Sequence, residues 1–176
     1  MLFYWYKSLK IINMRRMFLC MTLAIGSLCY SQYYGKHRIQ DLIEEANKGN
    51  EVAQCFLGDA YYKGKGISQD FEQAFYWWSK ASAGKIKLAS AKSEWGLGNI
   101  YYYGNGRPIN YKNAVFYWKK SAEKGDKYAQ NDLATCYYKG LGAKQSLVDA
   151  AYWFKKSCEN GYQEACSNLR SYIKLK

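Results

Sequence analysis

The sequence holds one histidine, His37, and one proline, Pro108, among 176 residues. A single imidazole excludes a conventional His-based catalytic triad within one molecule. The same scarcity, without any close-spaced cysteine group, argues against a zinc site, and neither metal nor cofactor is expected. Acid is sparse as well: 14 Asp and Glu stand against 26 Lys and Arg, for a formal net charge of +12. No reader motif accompanies that charge, so nucleic acid is not an expected partner. The apolar run Met17–Cys29 is thirteen residues, short of the ~18 that suggest a membrane span. Scarce proline suits helices joined by glycine turns.

That apolar run follows Arg15 and Arg16 and ends on the small residues Ser27 and Cys29, with Cys29 and Ser31 as a second option. Residues 1–29 contain no acid. This is the layout of a secretory signal peptide. Residues 1–30 are therefore expected to be a signal peptide with an extended n-region, or one whose true start is Met14. The alternative is an anchor helix that stays uncleaved. Leu28 stands where lipid modification of Cys29 calls for a small residue. Residues 31–37 read as a linker, and 38–176 as the folded domain of an exported protein, periplasmic or secreted.

Aromatic residues are abundant, with 19 Tyr and six Trp, and they recur. LGDAYYKGKGISQDFEQAFYWWSKASAGK from Leu57, LGNIYYYGNGRPINYKNAVFYWKKSAEKG from Leu97 and LATCYYKGLGAKQSLVDAAYWFKKSCENG from Leu133 are copies of one unit. A fourth copy begins at Leu169. The four leucines are spaced by 40, 36 and 36 residues. Such a period marks stacked repeats, and the four extra residues of the first interval are expected as a loop at Lys85–Ser90.

Each copy divides into two helices. Helix A puts Ala53, Leu57, Gly58 and Tyr61 on one face, then Ser93, Leu97, Gly98 and Tyr101, then Ala129, Leu133, Ala134 and Tyr137. The small residue after each leucine allows a neighbouring helix to approach closely. Helix A ends at a Gly-x-Gly turn (Gly64 and Gly66, Gly104 and Gly106, Gly140 and Gly142), where a positive φ suits glycine. Helix B opens at the N-cap types Asp70, Asn110 and Ser146. Its expected buried face runs Ala74, Tyr76, Trp77 and Trp78; Ala114, Phe116, Tyr117 and Trp118; and Ala150, Tyr152, Trp153 and Phe154. Arg38–Lys48 reads as the second helix of a degenerate leading repeat that caps the stack, and Gln163–Lys176 as a lone helix A that closes it. The expected fold class is all-α: an α/α right-handed superhelical solenoid of about three full repeats with capping half-repeats.

The pattern A-x3-LG-x2-Y-x2-G-x-G, followed by a capped A-x2-W-Y/F-x-KA-A-x-x-G, is matched almost throughout Val52–Gly161. It resembles the Sel-1-like repeat (SLR) family, tetratricopeptide-like proteins that include cysteine-rich secreted bacterial members. Ser93, Ala134 and the insertion after Lys85 depart from the pattern. The resemblance implies a curved superhelix that binds other proteins, in bacterial envelopes or secretion-linked systems. In such a stack helix A lines the concave groove, so the positions two before, two after and five after each leucine should face it. These are Cys55, Asp59 and Tyr62; Trp95, Asn99 and Tyr102; and Asn131, Thr135 and Tyr138. Aromatics with amides compose a protein-binding surface; the alternative for the tyrosines is ordinary packing.

Cys158 and Cys166 fall at the end of one helix B and in the next helix A, an antiparallel connection that brings their β-carbons within bridging reach. A disulfide there stabilises by roughly 2–3 kcal/mol; the alternative is two buried thiols. Cys136 occupies an apolar position of helix A and reads as a buried thiol, whereas Cys55 falls at an exposed one. Ser82–Lys85 and Ser121–Lys124 match Ser-x-x-Lys. The resemblance to cysteine-rich members therefore implies a rival reading, a β-lactam-binding or hydrolysing protein. No Ser-Asp-Asn or Lys-Thr-Gly companion is present, and no enzyme is expected. Lys80, Lys119, Lys120, Lys155 and Lys156 form a stripe near the ends of the B helices. It is either a solvated face or a surface for anionic lipid headgroups or an acidic partner. The leading expectation is a monomeric exported scaffold that engages another protein through its groove. An immunity or adaptor role toward a secreted effector is implied for some family members, but no residue here selects it. A structural envelope protein held by the lysine stripe is the remaining alternative.

Overall fold

A computed structural model of the chain describes residues 36–174, with the side chains of 39–171. The expected signal peptide lies outside the described residues. Among the described residues there are eight helices and no strand: α1 (Lys36–Asn47), α2 (Glu51–Lys63), α3 (Phe71–Ser82), α4 (Lys87–Tyr103), α5 (Tyr111–Glu123), α6 (Lys127–Lys139), α7 (Leu147–Glu159) and α8 (Gln163–Lys174). The helix expected from Arg38 thus starts at Lys36, inside the expected linker. Each helix packs on its predecessor, and α2 also meets α4. The result is an all-α repeat solenoid in which α2, α4, α6 and α8 are A helices and α3, α5 and α7 are B helices.

Local chemistry sets the boundaries. The side chains of Asp70, Asn110 and Ser146 accept hydrogen bonds from the backbone N–H groups of Gln73, Asn113 and Asp149, satisfying donors that the first turn leaves without partners. Gly64, Gly104 and Gly140 end the A helices in the left-handed region, with φ of 65°, 72° and 71°. Gly142 has a second constraint, because a Cβ there would lie 2.2 Å from the Tyr111 carbonyl oxygen of the preceding repeat.

The four extra residues are not a loop. They lengthen α4 at its start, to 17 residues against 13 in α2 and α6. Four residues are close to one turn of about 3.6, so the downstream face keeps its register. Ser90 aligns with the N-caps Asn50 and Asp126 but now lies inside the helix, and its hydroxyl donates to the Ser82 carbonyl at 2.8 Å. The new start, Ile86, has no side-chain cap. Glu51 of α2 instead accepts the N–H groups of Ile86 at 2.6 Å and Lys85 at 2.9 Å, which hold its carboxyl below the usual range.

Leu57, Leu97 and Leu133 are essentially inaccessible, as are Ala74, Ala114 and Ala150 of the B helices. Ile39, Leu42 and Ala46 of α1 cover one end of this core. At the other end Cys158 of α7 and Cys166 of α8 form a disulfide, with their Cα atoms 4.7 Å apart. Cys136 is a buried thiol. Cys55, expected to be exposed, is buried too, because the added turn of α4 brings Ala89 over it beside Ala81.

A second correction concerns the B helices. Tyr76, Phe116 and Tyr152 were expected in the core, yet they are 46%, 56% and 52% exposed. The buried stripe of α3 is Ala74, Trp77, Trp78 and Ala81, the i, i+3, i+4, i+7 set. A residue two positions after the alanine lies about 200° around the helix, facing solvent.

Candidate functional site

The nine expected groove residues do not share one environment. Cys55, Asp59, Asn99 and Asn131 are buried, Tyr62, Trp95, Tyr102 and Thr135 are half-buried, and Tyr138 is 39% exposed. Several of them tie one repeat to the next. Asp59 of α2 meets the Lys92 amine of α4 at 2.5 Å. The indole N–H of Trp95 donates to Asp132 Oδ2 on α6 at 2.8 Å, and Asn168 of α8 donates to Asn131 Oδ1 at 3.2 Å.

The B-helix tryptophans tie the two helices of one repeat together. Trp78 donates to the Cys55 carbonyl at 3.2 Å. Trp118 donates to the equivalent Trp95 carbonyl and to Asn99 Oδ1, both at 3.2 Å. Phe154 has no N–H to offer, and the Thr135 hydroxyl donates to the equivalent Asn131 carbonyl at 3.0 Å. Tyr62 packs against Phe71 and Trp78, and Tyr102 against Tyr111 and Trp118. These two tyrosines are packing residues.

The third repeat is where the wall opens. A pocket of about 370 Å³ lies between α6 and α8, lined by Thr135, Tyr138, Lys139, Phe154, Glu164, Asn168 and Ser171. Phe154 stands where the earlier copies carry tryptophan, and Leu147 where they carry Phe71 and Tyr111. The smaller side chains leave Tyr138 less covered. A phenyl ring, two aliphatic hydroxyls, an amide and one charge of each sign suit a peptide segment with an apolar side chain and a polar backbone.

Asp132 stands beside the ties of this seam. Burial lifts its carboxyl to about 6, against the hydrogen bond from the Trp95 indole, which favours the charged form. An acid raised on folding stabilises fully below its ordinary pKa of about 4, and that contribution is lost as pH rises through about 6. Asp132→Asn keeps an acceptor for the indole and removes the buried charge. It is expected to raise stability at pH 7.5 by about 1–2 kcal/mol and to flatten the profile between pH 4 and 7. Urea titrations across that range check this; an unchanged profile would count against Asp132 as its source.

Sequence reasoning passed over Glu94, whose side chain is fully buried. Three residues before each leucine stand Gln54, Glu94 and Gln130. The two glutamines donate to the carbonyls of Ala46 and Ala122, both at 3.1 Å. A carboxylate cannot donate, so Ser90 serves the equivalent Ser82 carbonyl. Glu94 turns instead to the end of α5, where Nζ of the C-cap residue Lys124 lies at 2.7 Å and Lys120 Nζ at 3.0 Å. The signal was an acid at a glutamine position, beside an inserted turn.

The same network bears on the Ser-x-x-Lys pairs. Ser121 is fully buried and donates to the Ala91 carbonyl at 2.7 Å. Ser157, at the same register, makes the same bond to the Lys127 carbonyl at 2.7 Å. With Lys124 held by Glu94, Ser121 and Lys124 have structural partners of their own. The Ser82 hydroxyl donates within its own helix, to the Ser79 carbonyl. Among the described residues no group of three His, Cys, Asp or Glu is placed to hold a metal.

Comparison with known proteins agrees with this architecture. The Sel1 repeat model matches residues 52–85, 91–126 and 127–162. Among the solved structures, a Sel1 repeat protein from Oxalobacter formigenes is 25% identical, with a TM-score of 0.67 over 76% of this chain and 53% of that one. A protective antigen present in uropathogenic Escherichia coli strains, displaying an SLR fold, is 31% identical with a TM-score of 0.65, over 72% of this chain and 26% of that one. Helicobacter pylori cysteine rich protein B is 25% identical with a TM-score of 0.57, over 74% of this chain and 96% of its own. The chain spans about half of the first structure and a quarter of the second. No curated protein matches. Three matched repeats take up more than half of the sequence, and the chain belongs to the Sel1 repeat family.

Proposed function

We propose that the chain is an exported, non-enzymatic scaffold that captures a segment of another protein in its groove, at the α6–α8 seam. Sel1 repeats generally mediate protein–protein interaction. The observation that carries the reading is the pocket beside Thr135 and Tyr138, where two of the groove positions expected from sequence border open volume. The other expected groove side chains are buried or half-buried, several of them engaged within a repeat or across a seam. Export is supported by the basic and apolar N-terminal pattern and by the Cys158–Cys166 disulfide, since disulfides persist in oxidising compartments. An immunity or adaptor role toward a secreted effector falls within this reading, with the protein acting as a monomer.

The test is cross-linked affinity purification from the native host's cell envelope, comparing wild type with Thr135→Arg/Ser171→Arg. Both substitutions put bulk and charge into the pocket; Thr135→Arg gives up the hydroxyl's bond to Asn131 within α6, while the Asp59–Lys92, Trp95–Asp132 and Asn131–Asn168 contacts between repeats stay in place. With circular dichroism and melting temperature matched, one protein should be recovered about tenfold less with the variant, the loss expected when an interface pocket is blocked. Equal recovery moves the binding surface away from the pocket, and recovery of no protein counts against the scaffold.

A further inference from the structure

Tyr76, Phe116 and Tyr152 occupy one register position on α3, α5 and α7, facing solvent in every repeat. One turn further along each helix stands a lysine. The Lys80 amine lies 4.6 Å from the Tyr76 ring centroid, Lys120 5.6 Å from Phe116, and Lys156 5.9 Å from Tyr152. Repetition of the stack aligns three such pairs along its outer side. After α3, the segment Lys85-Ile86-Lys87-Leu88, which leads into the first turn of α4, alternates basic and apolar residues, with Ile86 45% and Leu88 79% exposed. Glu51 fixes the start of this segment through two backbone N–H groups.

We propose that this outer edge of the B helices docks on an anionic lipid surface, independently of the groove. The rings and the aliphatic residues Ile86 and Leu88 enter the headgroup layer, and the lysines meet lipid phosphates. Exposed rings paired with lysines are the composition of interfacial anchors, and the ammonium groups complement anionic headgroups. The acids nearby leave that charge available. Glu159 reaches Lys155 and Lys156 only at 3.9 and 4.0 Å, and those side chains stay 68% and 47% exposed. Lys120 is 45% exposed although it also reaches Glu94. No helix of the described residues is long and apolar enough to cross a membrane, so the contact proposed is peripheral.

The experiment uses the full chain with phosphatidylcholine vesicles, with or without phosphatidylglycerol, that carry a photoactivatable acyl lipid. Peptide mass spectrometry then locates the adducts, which separates this edge from the apolar residues near the N-terminus. On anionic vesicles, adducts are expected on the α3, α5 and α7 peptides and at Ile86–Leu88, about fivefold above zwitterionic vesicles. Tyr76→Ser/Phe116→Ser/Tyr152→Ser should lower labelling at Ile86–Leu88 about threefold, since the start of α4 loses its neighbouring anchors. Lys80→Gln/Lys120→Gln/Lys156→Gln, which leaves the rings in place, should do the same; matched circular dichroism shows that both variants fold. Adducts confined to residues 1–30 or to the groove helices would overturn the proposal. So would labelling that ignores phosphatidylglycerol, or labelling unchanged in both variants.

Discussion

Lys124→Met is expected to cost about 3 kcal/mol in the wild-type background and less than about 1 kcal/mol when Glu94 is already glutamine. The Glu94 carboxylate is fully buried, while Lys124 and Lys120 are 29% and 45% exposed. The cost is therefore asymmetric. Removing a lysine strands part of a buried charge, whereas removing the acid frees two amines that can turn to water. Glu94→Gln alone should be nearly neutral, within about 1 kcal/mol, because glutamine occupies the same register in the other repeats as Gln54 and Gln130. Urea unfolding of the two single variants and the double variant measures the coupling, expected at about 2–3 kcal/mol. Additivity within about 0.5 kcal/mol would show that the buried carboxylate does not depend on Lys124.

The other large effect concerns the residue after each leucine. Gly98→Ala is expected to cost about 3 kcal/mol. Its Cβ would stand 2.3 Å from Cδ1 of Trp118, an indole that is 2% exposed and donates two hydrogen bonds. The third repeat already holds the solution, with Ala134 beside the smaller Phe154 and Thr135 supplying the hydrogen bond that phenylalanine lacks. Trp118→Phe alone should cost about 2 kcal/mol, through a cavity and unsatisfied acceptors. Gly98→Ala/Trp118→Phe should cost less than the sum of its parts by about 2 kcal/mol, and adding Asn99→Thr should recover more. Each kcal/mol is worth about 2–4 °C of melting temperature in a domain of this size, so calorimetry resolves the series. Additive losses would mean that glycine and indole at this site do not constrain each other.

The groove was read from an analogy of position. All nine residues lie on A helices as expected, but which of them a partner can reach depends on side chains from other helices. Asp59, Trp95 and Asn131 find partners 33 to 37 residues away, in Lys92, Asp132 and Asn168, and no local pattern announces such pairs. Tyr138 differs from Tyr62 and Tyr102 through its surroundings, Leu147 and Phe154 replacing larger rings. The misplacement of Tyr76, Phe116 and Tyr152 has another origin. Residue type pointed inward, whereas helical geometry alone placed them outward.

By itself the sequence determined the repeat, its helices, their N-caps, their glycine turns and the buried leucine and alanine stripes. These depend on φ preferences, capping hydrogen bonds and a 3.6-residue period, all of which act within a few residues. Only the tertiary structure decided that the insertion is a turn of helix that buries Cys55, that Glu94 is a buried ion-pair centre, and that open volume is found at the third seam. Those outcomes depend on side-chain volume and charge contributed by other helices, where packing, not local preference, sets the lowest free energy.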